Sequence, residues 1–96
     1  MWYEIVLAPQ AAQDLRRPSA HDRAAVRDAM EVHLRHEPTK TSRSRVKRLR
    51  KTSHPGYRLR VGEIRVFYDV TKGRVEILAI VAKSGAEDWL KSLGEQ

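Results

Sequence analysis

A strictly alternating segment in the second half of the chain limits the folds that the chain can adopt. Tyr57 to Val61 reads Tyr-Arg-Leu-Arg-Val, and the pair Gly62-Glu63 separates it from a second segment rich in apolar residues, Ile64 to Val70. Because successive side chains of a strand point to opposite faces, the alternation predicts a strand with one buried face. A two-residue link that contains glycine is typical of a β-hairpin. An antiparallel hairpin is therefore predicted here.

The first third of the chain predicts one strand followed by two helices. Trp2 to Leu7 is aromatic and β-branched, which favours a strand. Pro9 suits the first turn of a short helix that runs to about Arg17. Ser19 suits the N-cap of an amphipathic helix over residues 20–36. Because the link between the helices is short, an antiparallel helical hairpin is expected.

The end of the chain predicts a further strand and a final helix. Val75 to Ala82 is almost continuously apolar, which indicates a central strand covered on both faces. Ser84, with Glu87 three residues later, has the pattern of a capping box. Trp89 would anchor that helix to the sheet. Together, the predicted elements indicate a single α+β domain over residues 1–96, with the element order β-α-α-β-β-β-α. An antiparallel meander sheet would carry the N-terminal helical hairpin on one face, with a short helix at the C-terminus.

Positive charge is concentrated in one segment. The chain has a net charge of +7, but residues 40–65 hold ten basic residues and one acid, Glu63, for a net of +9, and the segments on either side are each at −1. Charge of one sign gathered in this way favours a polyanionic partner. The loop before the hairpin is predicted to bind nucleic acid, the alternative being a solvated loop. Its basic residues, here called the basic loop cluster, are Arg43, Arg45, Lys47, Arg48, Arg50 and Lys51.

Several classes of protein are not favoured by the sequence. There is no cysteine, which excludes disulfides and thiolate metal sites, and the four histidines show no His-x-x-x-His spacing. No metal or other cofactor is therefore expected. The N-terminus does not have the pattern of a signal peptide, and no apolar run approaches the length of a membrane span. These features predict a cytoplasmic protein without a membrane partner.

The hairpin and its flanks resemble the RelE/ParE toxin superfamily. Those toxins share a basic loop, a strand with the pattern Tyr-x-Arg/Lys, a tight turn, and a second strand with an arginine and a tyrosine. The apolar strand over residues 75–82, followed by Lys83, also fits. The matching positions in the hairpin are Tyr57, Arg58 and Arg60 in the first strand, and Arg65 and Tyr68 in the second.

The resemblance implies a toxin of a type II toxin–antitoxin pair. RelE-like toxins cleave messenger RNA in the ribosomal A site, whereas ParE-like toxins share the fold and poison DNA gyrase without cleaving RNA. Both are neutralised by an antitoxin encoded beside them. The expected function is thus that of a metal-independent endoribonuclease that inhibits translation, with the ribosome, messenger RNA and a cognate antitoxin as partners. The alternatives are a gyrase inhibitor and an inactive nucleic-acid-binding member.

Metal-free cleavage of RNA needs a base for the 2′-hydroxyl, an acid for the leaving oxygen, and cations for the phosphorane. Arg58 and Arg60 share a strand face, and a hairpin can bring Arg65 back to them if the register allows it. Three guanidinium groups on one face would clamp a phosphate. In the toxins that the chain resembles, the matching positions hold functional basic residues.

The C-terminal segment departs from the pattern of RelE-like nucleases. These usually carry an arginine shortly after the last strand and a tyrosine in the C-terminal segment, where this chain has Lys83 and Trp89. Lys83 is the candidate substitute for the arginine, but an indole cannot transfer protons. His54, beside the arginine strand, is a candidate replacement base because imidazole titrates in the useful range. The alternative is that His54 merely ends the loop. Tyr57 is a further candidate for contact with nucleic acid.

Overall fold

The protein has the predicted α+β fold, with one strand more than expected. The structure is a computed structural model and describes residues 1–94. The additional strand is β2, which lies inside the segment predicted as an irregular basic loop. The elements are β1 (Glu4–Leu7), α1 (Pro9–Asp14), α2 (Ala20–Leu34), β2 (Val46–Arg48), β3 (Tyr57–Val61), β4 (Ile64–Thr71), β5 (Arg74–Ala82) and α3 (Lys83–Gly94).

The five strands form one sheet in the order β1-β5-β4-β3-β2. Strands β3, β4 and β5 are the predicted antiparallel meander, and β1 joins the free edge of β5 in parallel. The middle strand is therefore β4, so the prediction that residues 75–82 form the central strand is wrong. β5 is nearly continuous in apolar residues because α1 and α3 both pack against it.

Two glycines shape the hairpin turns of the meander. Gly62, between β3 and β4, has a φ of 58°, and Gly73, between β4 and β5, has a φ of 73°. These left-handed conformations cost little for glycine and are strained for residues with a Cβ. The two-residue turn at Gly62-Glu63 is confirmed, and Val61 pairs with Ile64 across it. This turn fixes the register of everything that follows on β3 and β4.

The N-terminal helices follow the expected signals and end slightly earlier. Pro9 occupies the first turn of α1, which stops at Asp14 rather than near Arg17. The side chain of Ser19 accepts a hydrogen bond of 3.1 Å from the backbone N–H of Asp22, which confirms the predicted cap of α2. The apolar side of α2 is buried and forms a large part of the core against the sheet. Its fully buried members are Val26, Met30 and Leu34.

The last helix begins in a different way from the prediction. Helix α3 starts at Lys83 directly after β5, so Ser84 lies inside the helix and the predicted capping box is wrong. The backbone N–H of Lys83 donates to the carbonyl oxygen of Glu63 at 2.7 Å. The turn between β3 and β4 thus provides the acceptor at this helix start, which a nearby side chain would otherwise provide.

Candidate functional site

The hairpin register places the three predicted arginines on one face of the sheet. Arg60 pairs with Arg65, and Arg58 pairs with Phe67. Residues directly opposite each other in an antiparallel pair have side chains on the same face. The three arginine side chains therefore share a face, which the sequence had left open. This surface is called the arginine face below, and it is opposite to the face that packs on α2.

The charge of the arginine face is not neutralised within the described part of the chain. No carboxylate lies within salt-bridge distance of Arg58, Arg60 or Arg65 among residues 1–94. Burial lowers the pKa of Arg58, and the neighbouring charges of Arg65 and Arg60 lower this pKa further. The buried Nε of Arg58 has no hydrogen-bond partner. A bound anion would relieve the repulsion among the three guanidinium groups.

The three arginines differ in accessibility. Arg60 is exposed, Arg58 is partly buried, and Arg65 has only 7% of its surface exposed. The Nη1 of Arg65 donates to the carbonyl oxygens of Gly62 at 2.8 Å and Ile64 at 3.1 Å. The guanidinium group of Arg65 is therefore held by the turn. It contributes positive electrostatic potential to the face rather than a direct contact with a ligand. Direct contacts to a ligand are left mainly to Arg58 and Arg60.

Helix α3 covers the middle of the arginine face. The ring of Trp89 stacks on Phe67, with ring centroids 4.9 Å apart and an interplanar angle of 20°. This stacking confirms Trp89 as the anchor between helix and sheet. Lys83 is exposed at the first position of α3, beside the β3–β4 turn, which is the end of the face that holds Arg60 and Arg65.

The structure separates the members of the basic loop cluster. Lys47 pairs with Arg58 on β3 and so joins the arginine face. Arg48 pairs with Tyr57 instead, donates a hydrogen bond of 2.9 Å to the Tyr57 hydroxyl, and lies 5.0 Å from the centre of its ring. The other members are exposed near β2 and along the loop; they are Arg43, Arg45, Arg50 and Lys51.

Tyr57 is not brought to the arginine face. Its side chain points to the helix side of the sheet, has 9% exposure, and stacks on Tyr68 with ring centroids 5.4 Å apart. Tyr68 is fully buried, and its hydroxyl donates to the carbonyl oxygen of Pro38 at 2.7 Å. Burial is the main cause that raises the pKa of Tyr68, and Tyr57 adds to it. Both tyrosines of the motif are therefore placed in the core.

His54 contacts a carboxylate that the sequence analysis did not identify. Its Nδ1 lies 3.0 Å from Oδ2 of Asp69, and Oδ1 of Asp69 accepts a hydrogen bond of 2.7 Å from the backbone N–H of Gly56. A signal for this contact exists in the sequence. Counting outward from the Gly62-Glu63 turn pairs Tyr57 with Tyr68, as observed, and so sets Asp69 opposite the residue before β3, close to His54.

Solved structures of RelE toxins have the same fold as this chain. A chain of an archaeal RelE–RelB complex from Pyrococcus horikoshii is 23% identical, with a TM-score of 0.71 over 86% of this chain and 97% of that one. A chain of the toxin–antitoxin complex RelBE2 from Mycobacterium tuberculosis is 24% identical, with a TM-score of 0.71 over 85% and 99%. A mutant of the E. coli toxin RelE in the free state is 17% identical, with a TM-score of 0.62 over 99% and 98%.

The chain has the RelE fold. The fold class expected from the resemblance is thereby confirmed. No family model matches the sequence, and a search of curated proteins finds no match. The likeness is thus carried by the three-dimensional structure, at sequence identities where the fold persists and side chains have diverged.

On this RelE fold, the described residues offer no metal site and no membrane span. Residues 1–94 contain no group of three or more His, Asp or Glu side chains that could hold a metal ion. No helix in this range is both long and apolar enough to cross a membrane.

Proposed function

We propose that this chain is the toxin of a type II toxin–antitoxin pair and that it cleaves messenger RNA on the ribosome. The observation that carries the proposal is the arginine face, where Arg58, Arg60 and Arg65 lie together with no carboxylate within salt-bridge distance among the described residues. A phosphodiester fits such a face, because guanidinium groups bind phosphate oxygens in pairs. The RelE fold supports the same conclusion.

The proposed reaction uses the arginines for charge stabilisation. When the 2′-oxygen attacks phosphorus, negative charge builds up on the phosphorane oxygens, and fixed cations lower the energy of that state. Arg58 and Arg60 would contact these oxygens, and the buried Arg65 would add to the potential. Lys83, at the same end of the face as Arg60, would hold the flanking phosphate. No metal or other cofactor takes part.

The basic loop cluster would bind the ribosome. Its exposed side chains surround β2 and continue onto the arginine face through Lys47, which pairs with Arg58. Contacts of this kind to an RNA backbone are independent of sequence and weaken as salt concentration rises. Association with ribosomal RNA and cleavage of the message would thus use adjoining parts of one positive surface.

The proposed antitoxin would cover the same surface. Two of the similar solved structures described above are complexes with RelB or an antitoxin. The net charge of +9 over residues 40–65 would be neutralised by an acidic segment of the partner. If Arg58 and Arg60 react with guanidine-modifying reagents equally in the free toxin and in the purified complex, the arginine face is not the surface that the antitoxin covers.

The deciding experiment is in vitro translation with the purified protein, followed by primer extension on the message. We expect new 5′ ends inside translated codons, strongly reduced for Arg60→Ala and unchanged for Arg27→Ala, a matched removal of charge at an exposed position of α2. Intact transcripts together with DNA damage in cells expressing the protein would replace the proposal with gyrase inhibition. Intact transcripts without toxicity would leave an inactive nucleic-acid-binding member.

A further inference from the structure

We propose that His54 and Asp69 form a dyad in which His54 is the general base of RNA cleavage and Asp69 is the residue that positions it. The inference rests on the proposed endonuclease function. Its geometric basis is the contact of 3.0 Å between His54 Nδ1 and Asp69 Oδ2. The dyad would replace the proton-transfer group that the chain lacks at Trp89.

The backbone around His54 is held by several hydrogen bonds. The N–H of Leu49 donates to the carbonyl oxygen of Gly56 at 2.8 Å and closes the loop at its base. Inside the loop, the hydroxyl of Thr52 donates to the carbonyl oxygen of Pro55 at 2.8 Å. Asp69 fixes the loop to β4 by accepting the N–H of Gly56 at 2.7 Å. The imidazole is thus attached to a constrained segment, as a base that must meet its substrate requires.

The contact with Asp69 selects the tautomer that a base needs. An ionised carboxylate only accepts hydrogen bonds, so Nδ1 of His54 must carry the proton in the contact. The lone pair of the neutral ring then lies on Nε2, which has no hydrogen-bond partner among residues 1–94. The side chain of His54 is 79% exposed and that of Asp69 only 15%. An oriented carboxylate behind an accessible imidazole is the arrangement that activates a hydroxyl in other hydrolytic sites.

Asp69 lies on the arginine face. Arg65, Phe67 and Asp69 alternate along β4, so their side chains share this face. Phe67, the partner of Arg58, is two residues from Asp69 on β4. Two residues of a strand span about 7 Å. A ribose at His54 would therefore have its 3′-phosphate near Arg58. The helix-facing tyrosines take no part in this arrangement.

The step that this geometry supports is a balanced transesterification. Nε2 of His54 takes the proton of the 2′-hydroxyl while the 2′-oxygen forms a bond to the adjacent phosphorus. The bond from phosphorus to the 5′-oxygen breaks, and that oxygen leaves with the bonding electron pair and takes a proton from water. The hydroxide that remains accepts the proton held by His54, which restores water and the neutral base. The products are a 2′,3′-cyclic phosphate and a free 5′-hydroxyl. Asp69 stabilises the imidazolium that forms, and no oxidant or metal is needed.

The charged groups around the dyad are known from the register and the sequence. Glu76 pairs with Asp69 from β5, Arg58 lies next along the arginine face on β3, and Lys51 precedes His54 in the loop. From α3, Glu87 and Lys91 line one cavity with the loop residues Lys51 and Thr52. All of these charged groups are retained in the variants His54→Ala and Asp69→Asn. A change in the pH dependence of cleavage in those variants therefore reports on the dyad itself.

The test measures cleavage of a message at saturating ribosomes for the parent, His54→Ala and Asp69→Asn, with His36→Ala as the control for an exposed histidine elsewhere. We expect His54→Ala to lower the rate about a hundredfold or more. Imidazole added to the buffer should restore part of the lost rate.

Asp69→Asn keeps an oxygen that can accept the N–H of Gly56, but its amide favours the opposite histidine tautomer. We expect its rate to fall and its dependence on pH to change, with ribosome affinity unaltered.

A second measurement does not depend on activity. Nitrogen-15 spectra of the free protein should show the Nδ1–H tautomer of His54 in the parent and a shift toward Nε2–H in Asp69→Asn. If the parent cleaves no message, the proposed function fails. If the parent cleaves and His54→Ala cleaves at the same rate with the same pH profile, the dyad is overturned and the function stands. An unaltered tautomer in Asp69→Asn would remove the positioning role of Asp69.

Discussion

At the scale of single residues, the alternation of side chains gives the two faces of the β3–β4 hairpin different chemical character. Tyr57 and Tyr68 stack on each other on the helix side, whereas Arg58 and Arg60 lie on the opposite face. The tyrosines of the motif thus contribute burial and a hydrogen bond to Pro38, and the arginines contribute charge. Adjacent positions in one motif therefore have different consequences when they are replaced.

Arg58 provides the sharpest activity prediction. No carboxylate lies within salt-bridge distance of Arg58 among residues 1–94, so its guanidinium group is not committed to an ion pair. We expect Arg58→Ala to lower the rate of message cleavage roughly a hundredfold or more, as removal of a transition-state donor does. Arg58→Lys should recover only part, because ammonium cannot make the paired contact. Rates are compared with those of Arg27→Ala, and a rate for Arg58→Ala equal to this control would contradict the prediction.

Tyr68 links stability to alkaline pH. Its pKa is raised in the folded protein, so the unfolded chain releases this proton first, at the ordinary tyrosine value of about 10. The protonated side chain of Tyr68 therefore contributes fully to the free energy of unfolding below that value. This contribution is lost as pH rises toward the pKa of the folded protein. We expect the free energy of unfolding to fall more between about pH 9 and pH 11 for the parent than for Tyr68→Phe. Urea denaturation at both pH values measures this, and equal declines would argue against it.

At the scale of elements, two serines at helix starts have opposite expectations. Ser19 caps α2 through the N–H of Asp22, whereas Ser84 lies inside α3 and makes no capping bond. We expect Ser19→Ala to lower the free energy of unfolding by about 1 kcal/mol. Ser84→Ala should change it by less than about 0.5 kcal/mol, in line with surface substitutions that remove no cap. Thermal or urea denaturation measures both values. If Ser19→Ala and Ser84→Ala lower the free energy of unfolding equally, the hydrogen bond of Ser19 is not a stabilising cap.

The two tryptophans provide a similar comparison for the docking of α3. Trp89 stacks on Phe67, but Trp2 is 62% exposed and has only the guanidinium of Arg35 over its ring, at 4.7 Å. We expect Trp89→Ala to cost about 2 kcal/mol of the free energy of unfolding. Trp2→Ala should cost under about 1 kcal/mol. A larger decrease for Trp2→Ala would mean that α3 is not held by this stack.

At the scale of the whole molecule, charge is separated between the two sides of the fold. The segments before residue 40 and after residue 65 are nearly neutral, and the excess lies on the stretch that leads into β2, on β2 and β3 with the loop between them, and on the start of β4. Because these elements form one edge of the sheet and continue onto the arginine face, the positive potential is concentrated over one surface. A polyanion would therefore approach from that edge.

The proposed association with the ribosome should depend on salt because the positive charge is concentrated in this way. We expect Arg50→Ala with Lys51→Ala to reduce the slope of log affinity against log salt by about 2, roughly one for each phosphate that is no longer neutralised. Arg16→Ala with Arg17→Ala removes the same charge after α1 and should leave the slope nearly unchanged. Arg48 is unsuitable for this purpose, since it packs on Tyr57. Equal slopes for the two double variants would show that only net charge matters.

The sequence by itself determined the hairpin and the position of the positive charge. Both depend on local rules, namely the alternation of Tyr57 to Val61 and a two-residue turn at Gly62-Glu63. A tight turn specifies which residues oppose each other, so the convergence of Arg60 and Arg65 follows once the turn is known to be tight. The cap at Ser19 was predictable for the same reason, because its partner lies three residues away.

Only the tertiary structure decided the remaining features, because they depend on residues that are distant in sequence. β2 is three residues long, too short to show a period, and it forms because the edge of β3 is available. The parallel addition of β1 gave β5 a neighbour on each side, and the addition of β2 at the opposite edge left β4 in the middle of the sheet. The burial of apolar surface between Trp89 and Phe67 placed α3 on the arginine face. The hairpin register sets Asp69 opposite the residue before β3, but only closure of the loop on β4 brought the side chain of His54 to it.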